Sequence, residues 1–158
     1  MTTRAISGLR WARPIDRPNI IPVGRPRGAK AAGLRYERAL AEALPSALHG
    51  QWFEFEDANG HGYCQTDFIL SFLPRYVVVL ECKYIVTTEA VQQLLHLYLP
   101  IAREVYGMAR GVIVAKKLVP GFCRNAFGDL ESAISAADVM ATPVWHWLGR
   151  AVPALRAA

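Results

Sequence analysis

The sequence predicts an α/β fold with a central mixed β-sheet flanked by helices, and three features of the chain support it. The valines of "RYVVVLECKY" leave little room for a polar face, which is typical of a strand covered on both sides. The turn sequence "DANGHG" separates two largely apolar segments, "QWFEFE" and "YCQTDFILSFL", which predicts a hairpin. Segments with helical spacing lie before this hairpin and after the valine-rich strand.

Two helices are predicted from the spacing of apolar residues. From Leu34 to Leu48 these residues recur mostly at three- and four-residue steps, which indicates a first helix that ends near Pro45. A longer helix is predicted from Thr88 to Tyr106, with Thr87 or Thr88 as its N-cap and a bend at Pro100.

The last third of the chain adds two strands and a helix. "GVIVAKK" is a fourth strand, and residues 122–138 contain a further helical segment. "VMATPVWHWLG" is predicted as a final strand at a sheet edge, where the missing N–H of Pro143 is tolerated. The predicted order is therefore αβββαβ, followed by one more helix and one more strand.

The first 29 residues differ in composition from the rest of the chain. Residues 1–30 hold seven of the 18 basic residues but a single acid, Asp16. Pro14, Pro18, Pro22 and Pro26 prevent a continuous helix. We expect residues 1–29 to form an extended basic arm and residues 30–158 to form one domain. Such an arm suits a polyanion, although a solvated tail has the same composition.

Composition also excludes several classes of protein. The longest apolar stretch is too short to span a membrane, and the N-terminus lacks the apolar core of a secretory signal. Cys64, Cys82 and Cys123 are odd in number and lack CxxC spacing, which argues against a disulfide framework and a cysteine-rich zinc site. We therefore expect a cytoplasmic protein with no membrane partner and no organic cofactor.

An acid and a lysine end the valine-rich strand. Glu81 and Lys83 point to one face of the sheet, and Cys82 points to the other. If the second hairpin strand is the neighbour, Asp67 joins them at the same end of the sheet. Two carboxylates held close together favour a bound cation. Mg²⁺ typically takes one or two carboxylates together with water and phosphate oxygens.

Asp67 followed by Glu81-Cys82-Lys83 resembles the signature of the PD-(D/E)XK nuclease superfamily. Glu37 in "GLRYERALAEAL" matches the family's first-helix glutamate, and Gln92 and Gln93 in "AVQQL" match the glutamine of the helix after the third strand. The resemblance covers residues 30–115. Within the superfamily, the chain is similar to Holliday junction resolvases and small phage or prophage nucleases.

Two positions depart from the family's patterns. Thr66 stands where the proline that gives the family its name would precede Asp67. Tyr98 follows Gln93 by five places, so the QxxxY pattern of RecB-like exonucleases is not reproduced, which counts against that branch.

The resemblance implies a restriction-endonuclease-like core that hydrolyses DNA phosphodiester bonds with Mg²⁺, for which Mn²⁺ can substitute. Asp67 and Glu81 would hold the ion, and Glu37 would reach a second ion or its water. Lys83 would orient or deprotonate the attacking water or stabilise developing negative charge, and we favour orientation and charge stabilisation. Gln92 or Gln93 would position water or a phosphate oxygen. Cutting both strands of a duplex or junction would favour a homodimer.

Basic side chains in the arm and after the fourth strand are candidates for DNA binding. They are Arg10, Arg13, Arg17, Arg25, Arg27, Lys30, Lys116 and Lys117.

Two other functions compete with an active nuclease. One is a catalytically inert, nuclease-fold subunit that binds DNA or supports a larger complex. The other is an RNA-directed basic protein, for which the chain shows no RNP, KH or zinc-knuckle signature.

Overall fold

The computed structural model describes residues 1–20, 27–117 and 144–147, and it shows an α/β fold with two sheets. The strands are β1 (Trp11–Ile15), β2 (Leu48–His49), β3 (Trp52–Asp57), β4 (Gly60–Gln65), β5 (Phe68–Leu73), β6 (Tyr76–Ile85), β7 (Met108–Lys117) and β8 (Val144–His146). The helices are α1 (Ala29–Ala43), α2 (Thr88–Gln93) and α3 (Leu99–Tyr106), with a π-helical turn (Leu94–Tyr98) between α2 and α3.

The predicted mixed sheet is present, with the valine-rich strand at its centre. Its strand order is β2-β5-β6-β7-β8, with β6 antiparallel to β5 and parallel to β7. On one face of β6, Val78 and Leu80 pack in a cluster with Leu40 of α1. On the other face, Val77 and Val79 pack in a cluster with residues of the π-helical turn and α3. Both faces of β6 are therefore buried, as its composition predicts.

The hairpin differs from the prediction because it bends and contributes to two sheets. Its second strand, expected to be continuous, is interrupted at Thr66 and Asp67. Two backbone hydrogen bonds hold the strands together through the bend, from Gly50 N to Asp67 O (2.8 Å) and from Thr66 N to Gln51 O (3.0 Å). Beyond it, β3 and β4 form a three-stranded antiparallel sheet with β1. The expectation of one central sheet is thus incomplete.

The N-terminal segment is not the separate arm that its composition suggests. β1 pairs with β3 along its whole length, and Ile6 and Leu9 pack against the core that contains Phe53. β1 is an edge strand, which explains why Pro14 is tolerated within it. Residues 1–15 therefore belong to the fold, and packing does not follow the expected division at residues 29 and 30.

A buried ion pair fastens this segment to the hairpin. Asp57 is fully buried and accepts hydrogen bonds from the Arg4 guanidinium and from the backbone N–H groups of Ser7 (3.1 Å) and Asn59 (2.9 Å). The hydrogen bond from Arg4 is the main cause that lowers the pKa of Asp57 to about 2. The carboxylate is charged throughout the physiological range and depends on Arg4 for its compensation.

The long predicted helix is present, and it contains a π-helical turn that the sequence did not predict. Thr87 is the N-cap, because its hydroxyl accepts from the N–H of Ala90 at 3.2 Å. The π-helical turn precedes Pro100, which lies near the start of α3. The carbonyl of His96 in this turn accepts from Ile6 N at 2.7 Å, so the N-terminal segment also contacts the helix.

The C-terminal predictions are tested only in part. The helix expected within residues 122–138 lies outside the described residues. The expected last strand is present as β8, which pairs in parallel with β7 at the edge of the described sheet. Within the three described ranges, no helix combines the length and apolarity needed to cross a membrane.

Replacing Arg4 by Met should destabilise the protein far more than replacing Arg10 by Met. Arg4→Met leaves the buried Asp57 carboxylate without its cation, whereas Arg10 pairs with Glu56 at the surface. Urea unfolding at pH 7 would measure both, and we expect Arg10→Met to change the free energy of unfolding by less than about 0.5 kcal/mol. Equal losses would contradict the anchoring role of Arg4.

Candidate active site

The strand register brings together three of the predicted site residues. Phe68 pairs with Leu80, so Asp67 at the bend lies across from Glu81. The Oδ2 atom of Asp67 accepts a hydrogen bond from Cys82 N at 2.7 Å, and Lys83 Nζ lies 2.6 Å from Glu81 Oε1. The predicted convergence of two carboxylates and an ammonium group at one end of the sheet is present.

The Glu81 carboxylate is buried with only part of its hydrogen-bonding capacity used. Glu81 is only 1% exposed to solvent. Oε1 contacts Lys83, but Oε2 has no hydrogen-bond partner among the described residues. An unsatisfied buried oxygen is costly in a folded protein and is retained mainly where a proton, water or ion completes it.

The two facing carboxyl groups resist being charged together. Burial is the main cause that raises the pKa of Asp67 well above its usual range, and the nearby Glu81 and Glu37 raise it further. Burial also raises the pKa of Glu81, although the Lys83 ammonium opposes this shift. Without a cation, the pair therefore tends to hold a proton.

Lys83 is suited to act as a cation in this site. Burial by itself would lower the pKa of its ammonium group, but Glu81 and then Asp67 outweigh burial, and the pKa is raised. A lysine held protonated is a poor general base. This favours orientation and charge stabilisation over deprotonation of water.

Glu37 lies on the same cleft but is not assembled with the other two carboxylates. The cleft has a volume of about 410 Å³, and Glu37, Asp67 and Lys83 line it. However, Glu37 Oε1 is 2.7 Å from Nε2 of His49. Within residues 1–20, 27–117 and 144–147, no three acidic, histidine or cysteine side chains form a group that could hold a metal ion. The predicted set of three carboxylate ligands is therefore not preformed.

The structure distinguishes the two candidate glutamines. Both glutamines line a second cleft, where Gln92 is exposed, but Gln93 Nε2 also donates to the Tyr98 hydroxyl at 2.7 Å. Burial, and then the charges of Glu81 and Asp67, raise the pKa of Tyr98, so Gln93 is the glutamine on the site's side. The π-helical turn brings Gln93 and Tyr98 together across five places. The spacing that departs from the QxxxY pattern is thus no obstacle to their contact.

The predicted DNA-binding residues fall into two groups. Lys30 lines the cleft, and the ammonium groups of Lys116 and Lys117 lie 5.3 and 5.1 Å from the ring centroid of Tyr84, which also lines it. The lysine–Tyr84 contacts are within cation–π range, so Lys116 and Lys117 lie next to a residue of the cleft wall.

The N-terminal arginines are placed differently. Arg10 and Arg13 form ion pairs with Glu56 and Glu54, which offset their charge. Arg17 lies over the ring of Trp52, with its guanidinium carbon 6.0 Å from the centroid. Arg27 is exposed shortly before α1, and Arg25 lies outside the described residues. The prediction that Arg10 and Arg13 contact DNA has less support than that for the lysines.

Comparisons of the chain with profiles of protein families, with curated proteins and with solved structures find no match. Function must therefore be inferred from the side chains of the cleft.

Two residues of the cleft have no counterpart in the sequence signals. His49 contacts Glu37, and Tyr84 contacts the two lysines of β7. Neither residue belongs to a recognisable sequence pattern. The position of each depends on pairing between strands that are far apart in the sequence.

Asp67→Asn should stabilise the metal-free protein at neutral pH. Because the folded-state pKa of Asp67 is raised, its protonation stabilises the fold fully below about pH 4, and this contribution is lost as pH rises through the raised pKa. Asparagine needs no proton and can still accept from Cys82 N.

Thermal unfolding in EDTA between pH 4 and pH 7 measures this difference. The Tm of Asp67→Asn minus that of the wild type should grow with pH, by roughly 2–4 °C for each kcal/mol regained. Glu42→Gln, on an exposed part of α1, is the matched control and should show no such trend. A difference that stays constant with pH would contradict the raised pKa.

Proposed function

We propose that the protein is a metal-dependent deoxyribonuclease with a restriction-endonuclease-like core of the PD-(D/E)XK type. One observation carries the proposal: the buried, partly unsatisfied carboxylate of Glu81 lies beside Lys83 and across from Asp67, and these two neighbours line an open cleft. The element order is compatible with it: apart from β1 and the two-residue β2, and with β4 and β5 counted as one bent strand, the elements from α1 to β7 follow the order αβββαβ.

The side chains of the site fit a hard divalent cation. The free oxygen of Glu81 and the carboxylate of Asp67 are oxygen donors of the kind that Mg²⁺ and Mn²⁺ prefer. A positive ion between them would favour the charged form of both carboxylates and so oppose the rise in their pKa values, which burial mainly causes. Two carboxylates with water and phosphate oxygens suffice for Mg²⁺, so a third preformed ligand is not needed.

When bound, the ion would supply Lewis-acid stabilisation and an activated water for attack on a phosphodiester. The chain's own residues would do the rest. Lys83, held protonated, stabilises the negative charge that develops on the phosphate oxygens. Asp67 is fixed by the N–H of Cys82, so its carboxylate needs little reorganisation. Gln93 orients the Tyr98 hydroxyl beside the carboxylate pair.

DNA would reach the site along the lysine-rich side of the cleft. Lys30 on α1 lines the cleft, and the two lysines at the end of β7 contact Tyr84, which also lines it. Phosphate contacts of this kind give affinity without reading sequence. Preference for a junction or a phage-type duplex substrate, and a homodimer that cuts two strands, stay predictions.

An inert DNA-binding subunit is the second candidate, and one observation favours it. The described residues contain no three-ligand metal group. Such a protein would bind DNA with the same salt dependence but would not cut it.

Asp67→Asn and Lys83→Gln should each lower cleavage by about 100-fold or more, because each removes charge that acts on the transition state. The assay uses labelled linear duplex, single strand, four-way junction and closed circular DNA with Mg²⁺, Mn²⁺ or EDTA. Binding to DNA in EDTA should change little. Glu42→Gln is the control, and an Asp67→Asn preparation that cuts at the wild-type rate would refute the proposed site.

Lys116→Gln combined with Lys117→Gln should reduce the salt dependence of DNA binding. Each lost phosphate contact lowers the slope of log K against log salt by about 0.9 for duplex DNA. Arg10→Gln combined with Arg13→Gln is the matched comparison, and it should change the slope less because Glu56 and Glu54 offset those charges. Fluorescence anisotropy in EDTA measures both slopes, and a larger effect of the arginine pair would reverse the assignment.

A further inference from the structure

His49 lies at the junction between α1 and the bend of the hairpin. It is the last residue of β2, and it pairs with Phe68 of β5, the residue directly after Asp67. Its ring stacks on the ring of Phe68, with centroids 4.7 Å apart and planes inclined by 10°. Phe68 is fully buried, so this contact fixes the plane of the imidazole against a rigid part of the core.

The same imidazole holds the carboxylate of Glu37. His49 Nε2 is 2.7 Å from Glu37 Oε1, and a carboxylate accepts, so Nε2 donates. The hydrogen bond joins β2 to α1, the helix that carries Glu37. The bond therefore restricts the rotation of the Glu37 side chain, the acidic side chain of the cleft that lies on a helix.

The backbone next to His49 supports Asp67 in turn. Gly50 N donates to Asp67 O at 2.8 Å. His49 therefore contacts Glu37 through its side chain, and Gly50 contacts Asp67 through the backbone. Lys83 makes no comparable link between the sheet and Glu37, because its ammonium group is paired with Glu81.

We propose that His49 is a positioning residue, which fixes Glu37 at the cleft wall so that its second oxygen faces the water or cation held by Asp67 and Glu81. The inference rests on the proposed nuclease function and adds a residue to it. Hydrogen-bond partners of metal-site side chains typically contribute 10–100-fold to metal affinity or activity. The His49 ring itself touches neither substrate nor ion.

The test compares His49→Phe with His49→Gln. Phenylalanine keeps the stack on Phe68 but cannot donate to Glu37, whereas glutamine keeps a donor of similar reach without the ring. Mn²⁺ binding, followed by electron paramagnetic resonance without DNA, is the first readout. Cleavage kinetics are the second. We expect His49→Phe to weaken Mn²⁺ binding and lower kcat by about 10-fold with KM unchanged, and His49→Gln to recover most of both.

A second background identifies the partner through which His49 acts. In Glu37→Gln protein, His49→Phe should have little further effect, because the carboxylate that it positions is gone. Circular dichroism melting confirms that each variant is folded. Equal losses of Mn²⁺ affinity and kcat in His49→Phe and His49→Gln would overturn the role of His49 without affecting the nuclease proposal. Wild-type Mn²⁺ affinity and kcat in His49→Phe would do the same. A wild-type protein that neither binds Mn²⁺ nor cuts DNA would refute the nuclease proposal, and this inference with it.

Discussion

The buried carboxylate of Glu81 is the constraint on which the site depends. It sits in the central strand of the sheet, between β5 and β7, where the backbone cannot move to expose it. Its ionic partner among the described residues, Lys83, is two residues further along the same strand, which is the nearest position on the same face. A buried ion pair seldom improves stability over apolar packing, so its presence at a cleft points to a chemical use.

The bend in the hairpin is what makes the second carboxylate available. If the strand had continued through Thr66 and Asp67, Asp67 would be an ordinary ladder residue of one long sheet. Instead the break turns β4 away and leaves Asp67 at the start of β5, with its carboxylate bonded to Cys82 N. The three-stranded sheet built on β1 supports the displaced half of the hairpin. Stability and site geometry are therefore linked through residues far from the cleft.

Some parts of this structure follow from local sequence pattern, and others depend on contacts that no local pattern records. The centre of the sheet was predictable because consecutive valines fit only a strand covered on both faces. The meeting of Asp67, Glu81 and Lys83 followed from side-chain alternation and from pairing of adjacent strands. β1 was missed because arginine and proline are typical of linkers, and its pairing with β3 joins segments far apart in the sequence, such as those of Arg13 and Glu54. The π-helical turn and the contact of His49 with Glu37 likewise depend on tertiary contacts that no local sequence pattern records.

Diffraction from crystals grown with Mn²⁺ tests most directly whether the Asp67 and Glu81 carboxylates form a cation site. Anomalous scattering locates the ion independently of any activity. We expect an anomalous peak for Mn²⁺ within bonding distance of Asp67 and of Glu81 Oε2, the oxygen that has no hydrogen-bond partner among the described residues. We further expect this peak to be lost in Asp67→Asn crystals. A fully formed cleft with no Mn²⁺ at these oxygens, or Mn²⁺ bound only elsewhere, would contradict the account.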